Sequence, residues 1–542
     1  MQKLYEKTRR GLRRRWVHAR ANQRLNRLEE AVNRLVPAVP AAQRARPVVF
    51  FNASTRLLGL SQNAAFQLIA SWGVRMAGVP TIHFACQGGL SRCVLAAAQN
   101  GPAALPPCPA CIAQSRAILA HSDAHWFIQR RFARLDEAIQ ACSLEELTRF
   151  SFQGMPLGAL CLPALRWTLR LHHLADDETT RELYRAYIRS AWNVAEAFDA
   201  LLSSARPRAV VVFNGMFYPE AAARWVAQER FGLPVISHEV GLRPHTAFFT
   251  PGDATAYPIQ IEDSFQLSPE QDARLDAYLE QRLKGNFSMA GVRFWPEMRG
   301  LDEAFLQKLA GFRAVVPVFT NVIFDTSQPH SNVVFADMFA WLDQVLETAR
   351  AHPETLFVIR AHPDESRPGK AARESVAQWS QRNRIMDLPN VHFVDSAQYF
   401  SSYELIQRSK FVMVYNSTIG LEAAILGAAV LCAGKARFTQ LPTVFFPATV
   451  EAYQKQAEAF LTADAARIDV PLEFKRNARR FLYYQLFKTS LLLDAYIEDD
   501  GIWTGYVRLK DIDARAFAPG ASPALDRIVD GILNGTPFLL ED

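Results

Sequence analysis

The sequence predicts an α/β protein with at least two doubly wound domains, on three observations. The chain has 542 residues, more than a single hydrophobic core usually serves. Short apolar runs of strand type alternate with helical patterns in two separate stretches, first between Pro47 and Gly241 and again between Ala314 and Gly434. Parallel sheets with crossover helices require that alternation. In both stretches the apolar runs end in polar residues, and open α/β sheets bind ligands beyond the carboxyl ends of their strands.

Composition narrows the class. Hydrophobic residues make up 49% of the chain and charged residues 21%, ordinary values for a globular protein. No apolar run approaches the roughly 20 residues of a membrane helix, and the basic start has no apolar core behind it, so no secretory signal is read there. A cytoplasmic location with reduced cysteines is expected. The formal charge is +6, but Met1 to Arg27 alone holds ten lysines and arginines against Glu6. The rest is slightly acidic, which argues against a nucleic-acid surface.

Taken in order, residues 1–45 read as a basic helical arm. Leu4, Leu12, Trp16, Leu25, Leu28, Val32 and Leu35 form its apolar side. Such a helix could lie on an anionic membrane surface through residues 1–40, or pack on its own protein.

Residues 46–255 form the first domain. Pro47 to Phe51 and Val79 to Phe84 read as strands, with a helix from Asn63 to Met76 between them. A loop over residues 86–111 carries Cys86, Cys93, Cys108 and Cys111. Cys108-Pro-Ala-Cys111 has the knuckle spacing that lets two thiolates share a structural zinc. The alternative is a set of small buried apolar residues. Ala117 to Phe198 reads as mostly helical, and His172-His173 falls in a polar break read as a solvated loop. Ala209 to Phe213 and Val235 to Ser237 are strands ending in Asn214-Gly215 and His238-Glu239.

Residues 256–310 read as a linker, and residues 311–470 as the second domain. Its first strand, Ala314 to Thr320, ends in Asn321, whose amide could sit under phosphates. Thr355 to Ile359 runs into Arg360-Ala-His362-Pro363, where Arg360 and His362 can both donate to an anion. Phe411 to Tyr415 runs into Asn416-Ser417-Thr418, residues that cap helices. The helix that follows, Ile419 to Leu426, is stopped by Gly427. Two hydroxyls, backbone N–H groups and a positive helix end suit a phosphate, and Glu422 one turn on could take sugar hydroxyls. The alternative is that Ser417, Thr418 and Glu422 only complete a helix terminus. Residues 471–542 close the chain, with an amphipathic helix expected from Phe474 to Ile497.

Arg360-Ala-His362-Pro363 together with Ser417-Thr418-Ile419-Gly420-Leu421-Glu422-Ala423 resembles the donor-nucleotide motifs of capsular and surface polysaccharide glycosyltransferases. These are of the Kdo-transferase and polysialyltransferase type, with two Rossmann-like domains in the GT-B arrangement. The resemblance covers roughly Val315 to Gly434. It implies a nucleotide-sugar donor, with CMP suggested, bound by Arg360, His362, Ser417, Thr418, Gly420, Glu422 and Asn321. It also implies a polysaccharide or lipid-linked acceptor and no catalytic metal, with the last helices crossing back to the first domain. By the same resemblance the strand end at His238-Glu239 faces the acceptor, with Glu239 as the general base and His238 after it. His245 could bind an acid group of either substrate. Three other readings stay open: a CDP-glycerol-type glycerophosphotransferase, a nucleotide-sugar epimerase on the same fold, and a non-catalytic scaffold of a polysaccharide assembly complex.

Overall fold

The computed structural model describes residues 2–37, 46–52, 59–94, 104–284, 288–289, 292–293, 299–367, 371–398, 401–502 and 505–541, with side chains from residue 16 onward except at 288–289 and 292–293.

Two sheets organise the chain. The first contains parallel β1 (Val48–Asn52), β2 (Thr81–Cys86), β3 (Ala124–Phe127), β4 (Ala209–Phe213) and β5 (Val235–Val240), with β6 (Thr246–Pro251) antiparallel beside β5. The second contains β7 (Ala314–Phe319), β8 (Thr355–Arg360), β9 (Val391–Val394), β10 (Val412–Val414) and β11 (Val430–Cys432), all parallel. Their orders are β3-β2-β1-β4-β5 and β9-β8-β7-β10-β11. Each therefore winds outward from its first strand, then reverses and winds the other way. The reversal leaves a crevice at the carboxyl ends, between β1 and β4 in one sheet and between β7 and β10 in the other. The protein thus has two Rossmann-like domains.

The sequence explains the layers. Every residue of β1, VVFFN, is buried, as expected of a strand covered on both faces. Val48 and Phe50 join the core under α2 (Gln62–Met76), while Val49 and Phe51 join the core under α4 (Leu157–Leu169) and α5 (Glu178–Ala205). Side chains alternate faces along a strand, so one short run serves two cores. Helix starts follow cap chemistry. Ser61 accepts from the Ala64 N–H at the head of α2, and Asp177 accepts from the Thr180 N–H at the head of α5.

The arm is only partly an arm. Helix α1 (Gln2–Leu35) buries Leu25, Leu28 and Val32 in the first domain's core. Glu29 is fully buried and accepts from Trp72 Nε1 at 3.5 Å and Arg75 Nη2 at 3.3 Å. Trp16, near the other end, is 55% exposed, with the Arg20 guanidinium over its ring at 3.7 Å. The basic side chains before residue 16, and residues 38–40, lie outside the described residues. Among the described residues, no helix is long and apolar enough to cross a membrane.

Three further expectations need correction. The helix expected from Phe474 to Ile497 is α9 (Leu472–Tyr483), extended by one π-turn to Lys488. The chain then returns to the first sheet as β12 (Leu491–Leu492), antiparallel to β6, and α10 (Pro523–Asn534) packs on α2. Apolar periodicity does not register that change of direction. The β5 strand runs through Val240 rather than stopping at Ser237, so His238 and Glu239 lie inside it on opposite faces. The loop at His172-His173 is not a solvated one: His172 is 6% exposed and the loop is docked on the second domain.

Candidate functional site

A cavity of about 680 Å³ lies at the crevice of the second sheet. Its floor comes from the strand tips: Thr320 and Asn321 after β7, Arg360 to Asp364 at and after β8, Asn416 to Ile419 after β10, and Lys435 to Phe438 after β11. Thr255, Ala256, Pro258 and Trp167 close it from the first domain's side. The Arg360 and Ser417 tips converge here, but they are not on adjacent strands. β7 lies between them, so the cradle spans three strand tips.

The cavity is cationic. Arg360, the last residue of β8, is 4% exposed, and burial pushes its pKa down to about 10, so it stays charged at neutral pH. His362 Nδ1 accepts from the Asp364 N–H at 3.2 Å. That bond fixes the tautomer with the proton on Nε2, which makes the imidazole a neutral donor. Burial lowers its pKa; Asp364 opposes the shift and Arg360 adds to it. Pro363 turns the chain away after it into a 3₁₀ turn (Pro363–Ser366). Ser417 and Thr418 line the same space.

Asn321 is a lining residue, and its amide Nδ2 donates to Asn416 Oδ1 at 2.6 Å while its Oδ1 accepts from the Val322 N–H at 2.8 Å. It ties the tips of β7 and β10 together. The helix that follows Thr418, α8 (Ile419–Ile425), has only seven residues, and Thr418 makes no side-chain cap bond. A macrodipole contributes little there, so the cavity's positive character rests on its side chains.

Of two further expected donor residues, Glu422 lines the cavity and Gly420 does not. Glu422 is 5% exposed; its Oε1 accepts from Arg282 Nε at 2.8 Å and Nη2 at 2.5 Å, and its Oε2 accepts from the Tyr403 hydroxyl. Two N–H groups of Arg282 converge on Oε1 in a buried ion pair linking α8 to α6 (Pro269–Leu283), and Tyr403 holds Oε2. A Cβ at Gly420 would stand 3.0 Å from Phe438 Cζ and from Val414 Cγ2, so Gly420 lets α8 sit close on β10.

On the first domain's side, Glu239 and His238 part company. Glu239 is partly exposed and accepts from Asn214 Nδ2 and the Val240 N–H. Burial raises its pKa against those two donors. Arg437 lowers it and Asp325 raises it, and both of these groups line the cavity. His238 points to the other face. It is fully buried beside Phe66, Phe213 and Phe249, and burial pushes its pKa down to about 3. Alternation along β5 therefore removes His238 from any acceptor. His245 faces Asp499 at 3.1 Å in the turn before β6 and does not line the cavity.

Cys86 ends β2, and its Sγ accepts from the Gly89 N–H at 3.2 Å. Burial pushes its pKa up to about 11, with Cys111 and Cys108 adding to the rise. Cys108 opens α3 (Cys108–Ile118), and Cys93 is half-buried. Among the described residues, no three of Cys86, Cys93, Cys108 and Cys111 bring their sulfurs within 4.8 Å of one another.

Lys435, Arg437 and His330 are lining residues that the sequence reading passed over. Arg437 lays its guanidinium over the Tyr257 ring at 4.1 Å. His330 Nε2 meets Asp253 Oδ2 at 2.8 Å across the cleft. Lys435-Ala-Arg437 is separated by two residues from the end of β11 at Cys432, so the strand-end rule that found Arg360 extends to it. His330 has no such signal.

Comparison with known proteins bears on these residues. Over 230 residues the chain is 27% identical to Protein FixF of Sinorhizobium fredii, covering 42% of this chain and 48% of the relative; the chain thus spans about half the length of that curated relative. Among solved structures it is similar to the Thermosulfurimonas dismutans KpsC beta Kdo 2,4 transferase, at 12% identity and a TM-score of 0.36, over 58% of this chain and 87% of that one. It is also similar to the UDP-GlcNAc 2-epimerase of Neisseria meningitidis, at 13% identity and a TM-score of 0.26, over 68% and 92%. Residues 304–444, which build β7 to β11 and most of the cavity floor, match the family model described as "Capsule polysaccharide biosynthesis protein".

Proposed function

We propose that this protein is a glycosyltransferase of capsular or surface polysaccharide synthesis that uses a nucleotide-sugar donor. One observation carries the reading. The segment with the capsule-family match folds so that Arg360, His362, Ser417 and Thr418 meet in a single cavity at the sheet's crevice. A guanidinium, a neutral imidazole donor and two hydroxyls suit a nucleotide phosphate. They also stabilise the charge that develops on the nucleotide as it leaves. Lys435 and Arg437 add charge from the β11 tip.

Glu239 is the general base in this reading. Glu239 stands outside the cavity lining; burial raises its pKa, the lining residues Arg437 and Asp325 add smaller opposing effects, and its carboxylate accepts from Asn214 and the Val240 N–H. Deprotonating an acceptor hydroxyl from the first domain's side suits displacement at the sugar's anomeric carbon. Glu422 takes no part beyond bracing the floor.

Calorimetry and thermal-shift measurements with CMP, CDP, UDP and GDP compounds test the donor site. One nucleotide class should bind the wild type. Arg360→Ala should weaken that binding by about 1.5–3 kcal/mol, the range for a charged hydrogen bond, which is roughly 10- to 150-fold. Binding of none of them, or unchanged binding in Arg360→Ala, would reject the assignment.

A further inference from the structure

We propose that His172, His173 and Asp337 form a binding site for a zinc-class divalent cation that clips the two domains together at the rim of the cleft. The imidazoles come from the loop between α4 and α5 in the first domain, and the carboxylate from the head of α7 (Met338–Ala351) in the second. His173 Nε2 lies 3.2 Å and His172 Nε2 3.9 Å from Asp337 Oδ2, and the three ligand atoms all fall within 4.8 Å of one another. Zinc bonds to nitrogen and oxygen are about 2.0–2.2 Å, which puts tetrahedral ligand atoms about 3.3 Å apart. The His173–Asp337 edge already has that spacing, and the His172 edges contract to it when a cation is bound.

Asp337 and the His173 ring are already oriented by a second contact, and His172 is held through its backbone. Asp337 Oδ1 caps α7, accepting from the Phe339 and Ala340 N–H groups at 2.7 and 3.0 Å, which leaves Oδ2 turned to the histidines. Glu374 Oε2 accepts from the His172 and His173 N–H groups at 3.0 and 3.1 Å, and its Oε1 stands 2.6 Å from His173 Nδ1. In the metal-free state both ring nitrogens donate, Nδ1 to Glu374 and Nε2 to Asp337; with the Nε2 proton displaced, the carboxylate on Nδ1 is the arrangement that supports metal-ligating histidines. The Arg373 N–H also donates to the Arg170 carbonyl at 3.0 Å, so the loop is docked by backbone as well.

Two carboxylates meet at the seam, and Asp337 and His172 are 8% and 6% exposed. Arg166 and the protonated His173, whose bonds to Asp337 and Glu374 raise its pKa to about 10, offset those two charges, so a cation binds here by displacing the His173 Nε2 proton. His173 remains 56% exposed, which leaves an entry path and a position for water. The site adjoins the cleft through Arg170, whose guanidinium lies over Trp167 and Phe324, both cavity-lining residues.

The test uses the full chain carrying Cys108→Ser and Cys111→Ser, stripped with a chelator and then titrated with Co²⁺ and Zn²⁺. The expected result is about one Co²⁺ bound, with the visible absorption of tetrahedral nitrogen and oxygen ligation, and a melting temperature that rises with Zn²⁺. His173→Gln changes an exposed side chain, and Asp337→Asn keeps a helix cap. Each should abolish the absorption while leaving the circular dichroism intact, and Glu374→Gln should weaken affinity about 10- to 100-fold. No absorption in the parent chain, or one unchanged in His173→Gln, would overturn the proposal and leave a metal-free ion pair. Neither readout depends on nucleotide binding, so the two assignments fail separately.

Discussion

Neighbouring residues in this chain take opposite roles because a strand sends adjacent side chains to opposite faces. His238 and Glu239 are both polar, yet one is sealed among phenylalanines and the other is biased by the cleft. The raised pKa of Glu239 fixes the sign of a pH effect. A base works when deprotonated, so transferase rate should climb with pH through a range above that of an ordinary carboxylate. Glu239→Gln should abolish that limb and lower the rate about 10²- to 10⁴-fold; a pH profile with an unshifted acid limb in the variant would exclude Glu239 as the base. Glu422 is the opposite case, a carboxylate that looks like a ligand and is held by Arg282 and Tyr403. Removing one partner of a buried pair costs about 3–5 kcal/mol. Glu422→Ala should show that loss in urea unfolding, whereas a stable variant with weakened donor binding would restore the sugar-hydroxyl role. The sequence showed both residues clearly, but not which carboxylate pairs with a buried arginine, because Arg282 lies 140 positions from Glu422.

At the scale of elements, β8 and β10 with their following turns were legible because three independent signals agreed: apolar runs, strand-end polar residues, and Pro363 or Gly427 as stops. The helix α8 was also legible, though its dipole was overvalued, since seven residues carry a small one. Gly420 belongs to this scale. The resemblance puts it in the donor motif, yet its missing Cβ is what brings α8 down onto β10 and Phe438. Gly420→Ala should destabilise the protein by about 1–3 kcal/mol through overpacking, measured by denaturant unfolding. Unchanged stability would mean that Phe438 moves aside easily. The stretch after α9 was the least legible. Its apolar spacing continues, but the chain leaves the helix through a π-turn and becomes the edge strand β12.

For the whole molecule, the two sheets repeat one winding order, and the last segment is shared with the first domain. Leu525 in α10 packs against Gly73 of α2, more than 400 positions earlier. Leu525→Ala should therefore cost about 2–5 kcal/mol and lower the melting temperature of the first domain, followed by hydrogen exchange in residues 62–76. Unchanged protection of those amides would show that α10 is not part of that core. The sequence by itself determined the α/β class, the doubly wound second domain and the strand ends around Arg360, His362, Ser417 and Thr418. These follow from local rules of periodicity, capping and chain stops. Only the tertiary structure decided which strand lies between those ends, which carboxylates are already paired, and that His172 and His173 meet Asp337. Those outcomes depend on contacts between residues far apart in the chain, which no local pattern encodes.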